Sequence, residues 1–242
     1  MPIVGHTFAE GPSLAGGGFK SGTRDDKAGI IGWSKELAMR GIVCVSIDYR
    51  IDKTEASNDP ERSQLWAAYD AKAAVRWLRT NAQRLRIDPT RIGAFGSSAG
   101  AMTVGFMPTV SGEGDNPDNP GVSSDIRAGV SLSGALECIG PNAAWCDVKP
   151  NVTKSHPPFL DFHGCEDSTV PYGPCPSHSD KCWGSGVDTH QALVAAGVPA
   201  FLYSFPGEHH VPWGSLSAEP AAAAFVKFLA QYLDLGHAEC PQ

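Results

Sequence analysis

No stretch of this 242-residue sequence approaches the roughly 20 consecutive apolar residues that a helix needs to cross a bilayer, so no membrane span is expected. Lys and Arg number 19 against 26 Asp and Glu, a formal net charge of -7. They nowhere cluster into a basic patch, which excludes nucleic acid as a partner. Repeats and low-complexity blocks are absent, which leaves a globular chain. There is no C-x2-C pair and no matching histidine spacing, so a structural metal is not expected, nor is any cofactor. The N-terminal Met1-Pro-Ile-Val-Gly5 lacks the basic and apolar pattern of a signal peptide. What remains is 42% hydrophobic and 19% charged, enough to bury one core, and a single domain over 1–242 is expected.

Cysteine is the residue in excess, at seven. Cys138 with Cys146, and Cys175 with Cys182, lie close together in segments rich in Gly, Pro, Asn and Ser. The spacing predicts two local disulfides there, with Cys165 and Cys240 as a third pair. Asn151-Val-Thr153 is a glycosylation sequon. Together these predict a secreted protein whose signal is absent from this chain. Cys44, inside an apolar run, reads instead as a buried free thiol.

Taken in order, the chain alternates strand and helix patterns. A short strand is expected around Ile3-Val4. The glycines of Ala15-Gly-Gly-Gly-Phe-Lys-Ser-Gly22 leave the backbone free to turn N–H groups inward, the rival reading being a flexible linker. A helix follows with Ile30, Trp33, Leu37 and Ala38 on one face and Gly41 as its stop. Ile42–Ile47 is a nearly continuous apolar run, expected as a parallel strand buried on both sides. Asp48-Tyr49-Arg50 then reads as a charged architectural tie. Asp59-Pro60 caps a long helix carrying Leu65, Ala68, Val75 and Leu78 at helical spacing, with Asp70 as a structural residue. Strands are expected at 128–133, 159–164 and 200–205. Helices are expected at 188–196, stopped by Gly197, and around Phe225, Phe228, Leu229, Tyr232 and Leu233. This alternation specifies the α/β class, a mostly parallel sheet with helices on both faces.

In such a sheet, chemistry gathers at the carboxyl ends of the strands. Gly96-Ser-Ser-Ala-Gly100 follows one strand and reads as a tight strand-to-helix turn that lifts Ser98 out of the sheet. Glu166 and Asp167 follow a second strand, and His209 and His210 follow the last. A serine hydroxyl is a poor nucleophile until an imidazole takes its proton and a carboxylate orients that imidazole. The order serine, carboxylate, histidine suits that chemistry. Donors for an oxyanion are available from Gly17, Gly18 and the Ala99 N–H. Phe19, Ser97 and Trp213 flank these positions as candidate substrate-binding residues, Trp213 having the rival reading of a packed core aromatic.

The pieces AGGGFKSG, VSIDYR, AAYDAKAAVRWLR, DPTRIGAFGSSAG, HGCEDSTVPY and PGEHHVP, spanning about residues 15–212, resemble the esterase/lipase branch of the α/β-hydrolases, related to hormone-sensitive lipase, carboxylesterases and feruloyl esterases. The resemblance implies Asp167 rather than Glu166 as the acid, His210 rather than His209 as the base, and a structural role for His163. It implies a serine carboxylic-ester hydrolase acting on short-chain or aromatic acyl esters, whether small molecules or polysaccharide-linked, as a monomer or homodimer without metal or cofactor. A peptidase or amidase on the same scaffold and a catalytically inactive binding protein are the alternatives. Two departures stand out. Ala15 occupies the position where the family's glycine-rich motif begins with histidine. Little sequence precedes that motif, so either a shortened sheet lacking the first strands or an N-terminally trimmed form is expected, with no large cap and an open pocket.

Overall fold

A computed structural model describes residues 3–7, 18–21, 29–51, 60–112, 118–136, 152–173 and 184–235. Within them the order is β1 (Ile3–Thr7), α1 (Ile30–Met39), β2 (Val43–Ile47), α2 (Pro60–Thr80), α3 (Ala82–Leu85), β3 (Ile92–Ser97), α4 (Ala99–Phe106) and β4 (Gly129–Leu132). It continues with β5 (Phe159–Gly164), α5 (Gly186–Ala195), β6 (Ala200–Phe205), α6 (Trp213–Ser217) and α7 (Ala221–Tyr232). The strands form one six-stranded sheet in the order β2-β1-β3-β4-β5-β6, and every neighbouring pair is parallel. This is the α/β-hydrolase architecture.

Two strands differ from the sequence reading. The short strand at Ile3-Val4 extends to Thr7 and lies inside the sheet, with Ile3 paired to both Val43 and Ile92. Conversely, β2 is an edge strand among the described residues, and all five of its residues are only partly buried. A continuous apolar run marks hydrophobic contact on both faces but says nothing about whether a strand has one lateral neighbour or two.

Strand alternation shows how the helices divide between the faces. Successive residues of a strand point to opposite sides. Phe95 of β3 meets Phe225 of α7 at 5.4 Å between ring centroids. A Cβ on the next residue, Gly96, would strike the backbone of α4. Helices α7 and α4 therefore cover opposite faces. Phe225 also meets Trp33 of α1 at 4.9 Å and Phe162 of β5 at 5.9 Å, so one ring binds two helices and two strands into a single layer. In α1, Ile30, Trp33 and Leu37 are buried as expected, but Ala38 faces solvent. It lies about 100° around the helix from Leu37, at the margin of the apolar stripe.

The tie at the end of β2 is made by Arg50 to Asp70 of α2. The Arg50 backbone N–H and Nε donate to the Asp70 carboxylate at 2.8 and 3.0 Å. On the same helix, Lys72, Arg76 and Arg79 donate to carbonyls of Val110, Asp118 and Ser123, which holds the connection between α4 and β4.

Cys44 is a free thiol, and burial pushes its pKa up to about 12. Cys165 is also a free thiol, which corrects the expected third pairing with Cys240. It sits in the turn directly after β5, its N–H bonded to the Phe205 carbonyl in the neighbouring strand's last position. Cys138, Cys146, Cys175, Cys182, Cys240 and the Asn151 sequon lie outside the described residues.

Candidate active site

Ser98 occupies the single position between β3 and α4, with φ 51° and ψ -122°. Side chains rarely adopt this backbone region, and the cost is about 1–3 kcal/mol. The surrounding structure imposes it. The Ser98 N–H is bonded to the Leu132 carbonyl of β4 at 2.9 Å, and its own carbonyl accepts from Met102 in α4 at 3.0 Å. A Cβ on Gly96 would stand 2.5 Å from the Gly100 carbonyl carbon and 2.6 Å from its oxygen. Those are backbone atoms of a fully buried helix and cannot swing aside. Gly96→Ala is therefore expected to lower unfolding free energy by about 3 kcal/mol. Urea denaturation checks this, and an unchanged midpoint would show that the turn relaxes without cost.

The imidazole arrives from the turn after β6. His210 places Nε2 2.8 Å from Ser98 Oγ and Nδ1 2.7 Å from Asp167 Oδ2. The carboxylate can only accept, so Nδ1 carries the proton and Nε2 presents a lone pair to the serine hydroxyl. The turn is held by the Val211 N–H donating to Ser133 Oγ at 3.0 Å and by positive φ at Val211.

Asp167 is buried. Its Oδ1 accepts from the Thr169 and Val170 N–H groups, both at 2.9 Å, while Oδ2 faces His210 and lies 3.4 Å from His163 Nε2. Burial pushes its pKa up, but hydrogen bonds from His163, His210 and Val170 outweigh that and hold it well below the usual carboxylate range. The carboxylate is thus ionised when His210 needs it. A hydroxyl, a neutral imidazole and an anion in series can move a proton off the hydroxyl as it attacks an electrophile.

The competing candidates pair elsewhere. Exposed His209 directs Nδ1 at the Glu166 carbonyl, 3.0 Å away, with its Nε2 3.9 Å from the exposed Glu166 carboxylate. Ala99 is buried at the first position of α4, where a helix N–H has no partner within its own helix. Gly18 has φ 48°, while Ala15, Gly16 and Gly17 lie outside the described residues.

Phe19 and Ser97, expected as substrate contacts, are both 0% exposed. Phe19 packs with Tyr49, Ala67, Ala99 and Met102 beneath the turn, its ring 6.0 Å from that of Tyr49. Ser97, the last strand residue, points into the interior, and its Oγ has no partner among the described residues. Trp213 is half-buried at the start of α6, with its indole against Gly29, where a Cβ would come within 2.1 Å of Cε2. Among the described residues, no group of three His, Cys, Asp or Glu is arranged to hold a metal ion. Sequence reasoning passed over Ser133 and gave His163 a structural role, in keeping with its burial between Asp161 and the Val170 carbonyl. The only sequence signal for either was its position at the end of a strand.

The BD-FAE family model matches residues 13–143. Bile salt-activated lipase of Bos taurus is 33% identical over 110 residues, covering 43% of this chain and 16% of that protein. Fumonisin B1 esterase of Sphingopyxis macrogoltabida is 30% identical over 104 residues, covering 39% and 18%. The matches thus span less than a fifth of these curated relatives. Among solved structures, Thermogutta terrifontis esterase 2 phosphorylated by paraoxon superposes with TM-score 0.72 at 23% identity, over 99% of this chain and 84% of that one. The same esterase with butyrate bound gives 0.71 at 23% identity, over 99% and 85%. At that identity the likeness is one of fold.

Proposed function

The chain belongs to the BD-FAE family, and from that premise we propose that it is a serine carboxylesterase of the α/β-hydrolase fold. The observation that carries this reading is the unbroken hydrogen-bonded series Ser98, His210, Asp167. Ser98 Oγ attacks the ester carbonyl while His210 Nε2 takes its proton, and Asp167 stabilises the imidazolium that forms. The negative charge on the former carbonyl oxygen is met by the Ala99 N–H at the positive end of α4, and the resemblance to known hydrolases assigns the other donors to the glycine-rich stretch that holds Gly17 and Gly18. His210 then returns the proton to the leaving alcohol, and a water activated by the same nitrogen releases the acyl group from Ser98.

The substrates we propose are esters of short-chain or aromatic acids. Support comes from Trp213, half-buried close to the His210 turn, and from the butyrate complex of the Thermogutta esterase. An extracellular setting is proposed on the loop and tail cysteines alone.

The test is hydrolysis of p-nitrophenyl acetate, butyrate and octanoate beside the p-nitroanilide of acetic acid. The expected order is acetate and butyrate well above octanoate, with the anilide slower by about a thousandfold or more. An anilide cleaved as fast as the esters would make this an amidase. A folded protein that turns over none of the four, and that paraoxon does not label at Ser98, would be a binding protein.

A further inference from the structure

We propose that Ser133 is a positioning residue for the base, and that the end of β4 is a jig setting how closely His210 approaches Ser98. The proposal rests on the esterase reading above and adds to it what holds nucleophile and base at bonding distance.

The jig is two adjacent residues. The carbonyl of Leu132, the last residue of β4, accepts from the Ser98 N–H at 2.9 Å. Ser133 Oγ, on the next residue, accepts from the Val211 N–H at 3.0 Å. One strand end therefore grips the nucleophile by its own backbone and the base by the peptide that follows it. Ser98 Oγ and His210 Nε2 stand 2.8 Å apart as a result. Other bonds hold the opposite side of the base. The Glu166 N–H donates to the Glu208 carbonyl at 2.9 Å, and His209 Nδ1 lies 3.0 Å from the Glu166 carbonyl. A Cβ on Gly164 would stand 2.2 Å from the His209 carbonyl oxygen. Those contacts tie residues 208 and 209 to the turn that carries Asp167, so they fix the imidazole relative to the acid. The bond to Ser133 fixes it relative to the nucleophile.

Ser133 is itself held rigidly. Its N–H is bonded to the Phe162 carbonyl of β5 at 2.8 Å. A Cβ on the following Gly134 would meet Ser131 Oγ at 2.5 Å and Ala101 Cβ at 2.7 Å, so the chain leaving Ser133 lies pressed against α4. The φ of Ser133 is 58°, a left-handed value that glycine adopts freely and residues with a Cβ rarely do. Val211, at 56°, and Ser98, at 51°, lie in the same region. Three strained residues thus meet at the contact between nucleophile and base, and such strain persists where the surroundings impose it. Glycine at position 133 would relieve it but would offer Val211 no acceptor. The hydroxyl is what the strained position supplies.

The consequence is kinetic. Ser133 is 0% exposed, so it touches no substrate and acts through Val211. Without the hydroxyl, the Val211 N–H loses its acceptor and the turn shifts to satisfy it elsewhere. A displacement of about 1 Å in a catalytic group can cost on the order of a hundredfold in rate. Substrate binding is indifferent to that displacement, because the proton moves only in the chemical step.

The experiment compares the wild type with Ser133→Ala and Ser133→Gly, using Ser98→Ala as a reference. On p-nitrophenyl acetate, kcat is expected to fall about 10- to 100-fold in both Ser133 variants, with KM little changed. The rate at which paraoxon labels Ser98 is expected to fall in parallel, since the same base serves both reactions. Urea denaturation is expected to place the midpoint of Ser133→Gly at or above that of Ser133→Ala, because glycine relieves the backbone. The loss of rate then does not follow a loss of stability. A readout independent of turnover is the NMR signal of His210 Nε2 at one mildly alkaline pH. It reports the hydrogen bond from Ser98 Oγ, which Ser98→Ala abolishes. Both Ser133 variants are expected to move that signal from its wild-type position toward the Ser98→Ala position. Folded variants that keep kcat within about twofold of the wild type, or leave the Nε2 signal unmoved, would overturn the proposal. So would a KM that rises as kcat falls, which would make Ser133 a substrate contact. Failure of both variants to fold would also overturn it, by making the hydroxyl a structural group. Failure of the esterase reading looks different: the wild type then lacks Ser98-dependent turnover, and the Nε2 signal still tests the jig.

Discussion

Replacing Ser98 with alanine is expected to cut kcat for ester hydrolysis by about 10⁶-fold, leaving only the rate that binding and oxyanion donors supply. The reason is that Oγ is the nucleophilic atom hydrogen-bonded to His210 Nε2. It lies 2.8 Å away, on a residue whose backbone the fold has already strained into place. The fold should survive the change, because the contacts of residue 98 with the sheet and helix are made by its backbone, to Leu132 and from Met102. Alanine can adopt the same φ at no more cost than serine. Circular dichroism establishes that the variant is folded, and steady-state turnover of p-nitrophenyl acetate measures the loss. A variant retaining more than about a hundredth of the activity would mean that the nucleophile is another group.

Asp167→Asn is expected to lower kcat by about 10⁴-fold with little change in KM. Each carboxylate oxygen of Asp167 accepts: Oδ1 from two backbone N–H groups, Oδ2 from His210 with His163 close by. An amide must turn its NH2 toward one set or the other. Facing the Thr169 and Val170 N–H groups, it opposes donor to donor and breaks the turn that holds the residue. Facing the rings, it donates to His210 Nδ1 and drives the imidazole proton to Nε2, which then points a hydrogen at Ser98 Oγ. The base is present but in the wrong tautomer. Steady-state kinetics separate the two constants. A fall in kcat of less than about tenfold would move the acid's role to another carboxylate.

These expectations use features of very different legibility. The turn at Ser98 could be read from sequence because its cause is local. A serine lifted between strand and helix needs glycine two residues before it, and the close contact of Gly96 with Gly100 is that requirement made visible. The order of Ser98, Asp167 and His210 after their strands was equally legible, since a parallel sheet delivers successive strand ends to one edge. The choice between His209 and His210 was different. Adjacent residues in one turn carry the same periodicity, and a resemblance to known hydrolases was needed to separate them. The structure divides them by partner, Glu166 for one and Asp167 for the other.

Other placements were not legible. Phe19 and Ser97 neighbour site residues along the chain, yet neighbours in a strand or tight turn point in opposite directions, and both are buried. Tyr49 and Met102, distant in sequence, enclose Phe19. The edge position of β2 likewise depends on β1 being inserted between it and β3.

By itself, then, the sequence determined the alternating α/β pattern, the nucleophile turn and the order of groups along the sheet, because each depends on spacing over a few residues. Only the tertiary structure decided lateral strand order, which of the neighbouring side chains are buried, and the burial of Asp161 and His163 beside Asp167. Those depend on which distant segments exclude water from a given atom, and water exclusion sets how strongly the charges and hydrogen bonds there act.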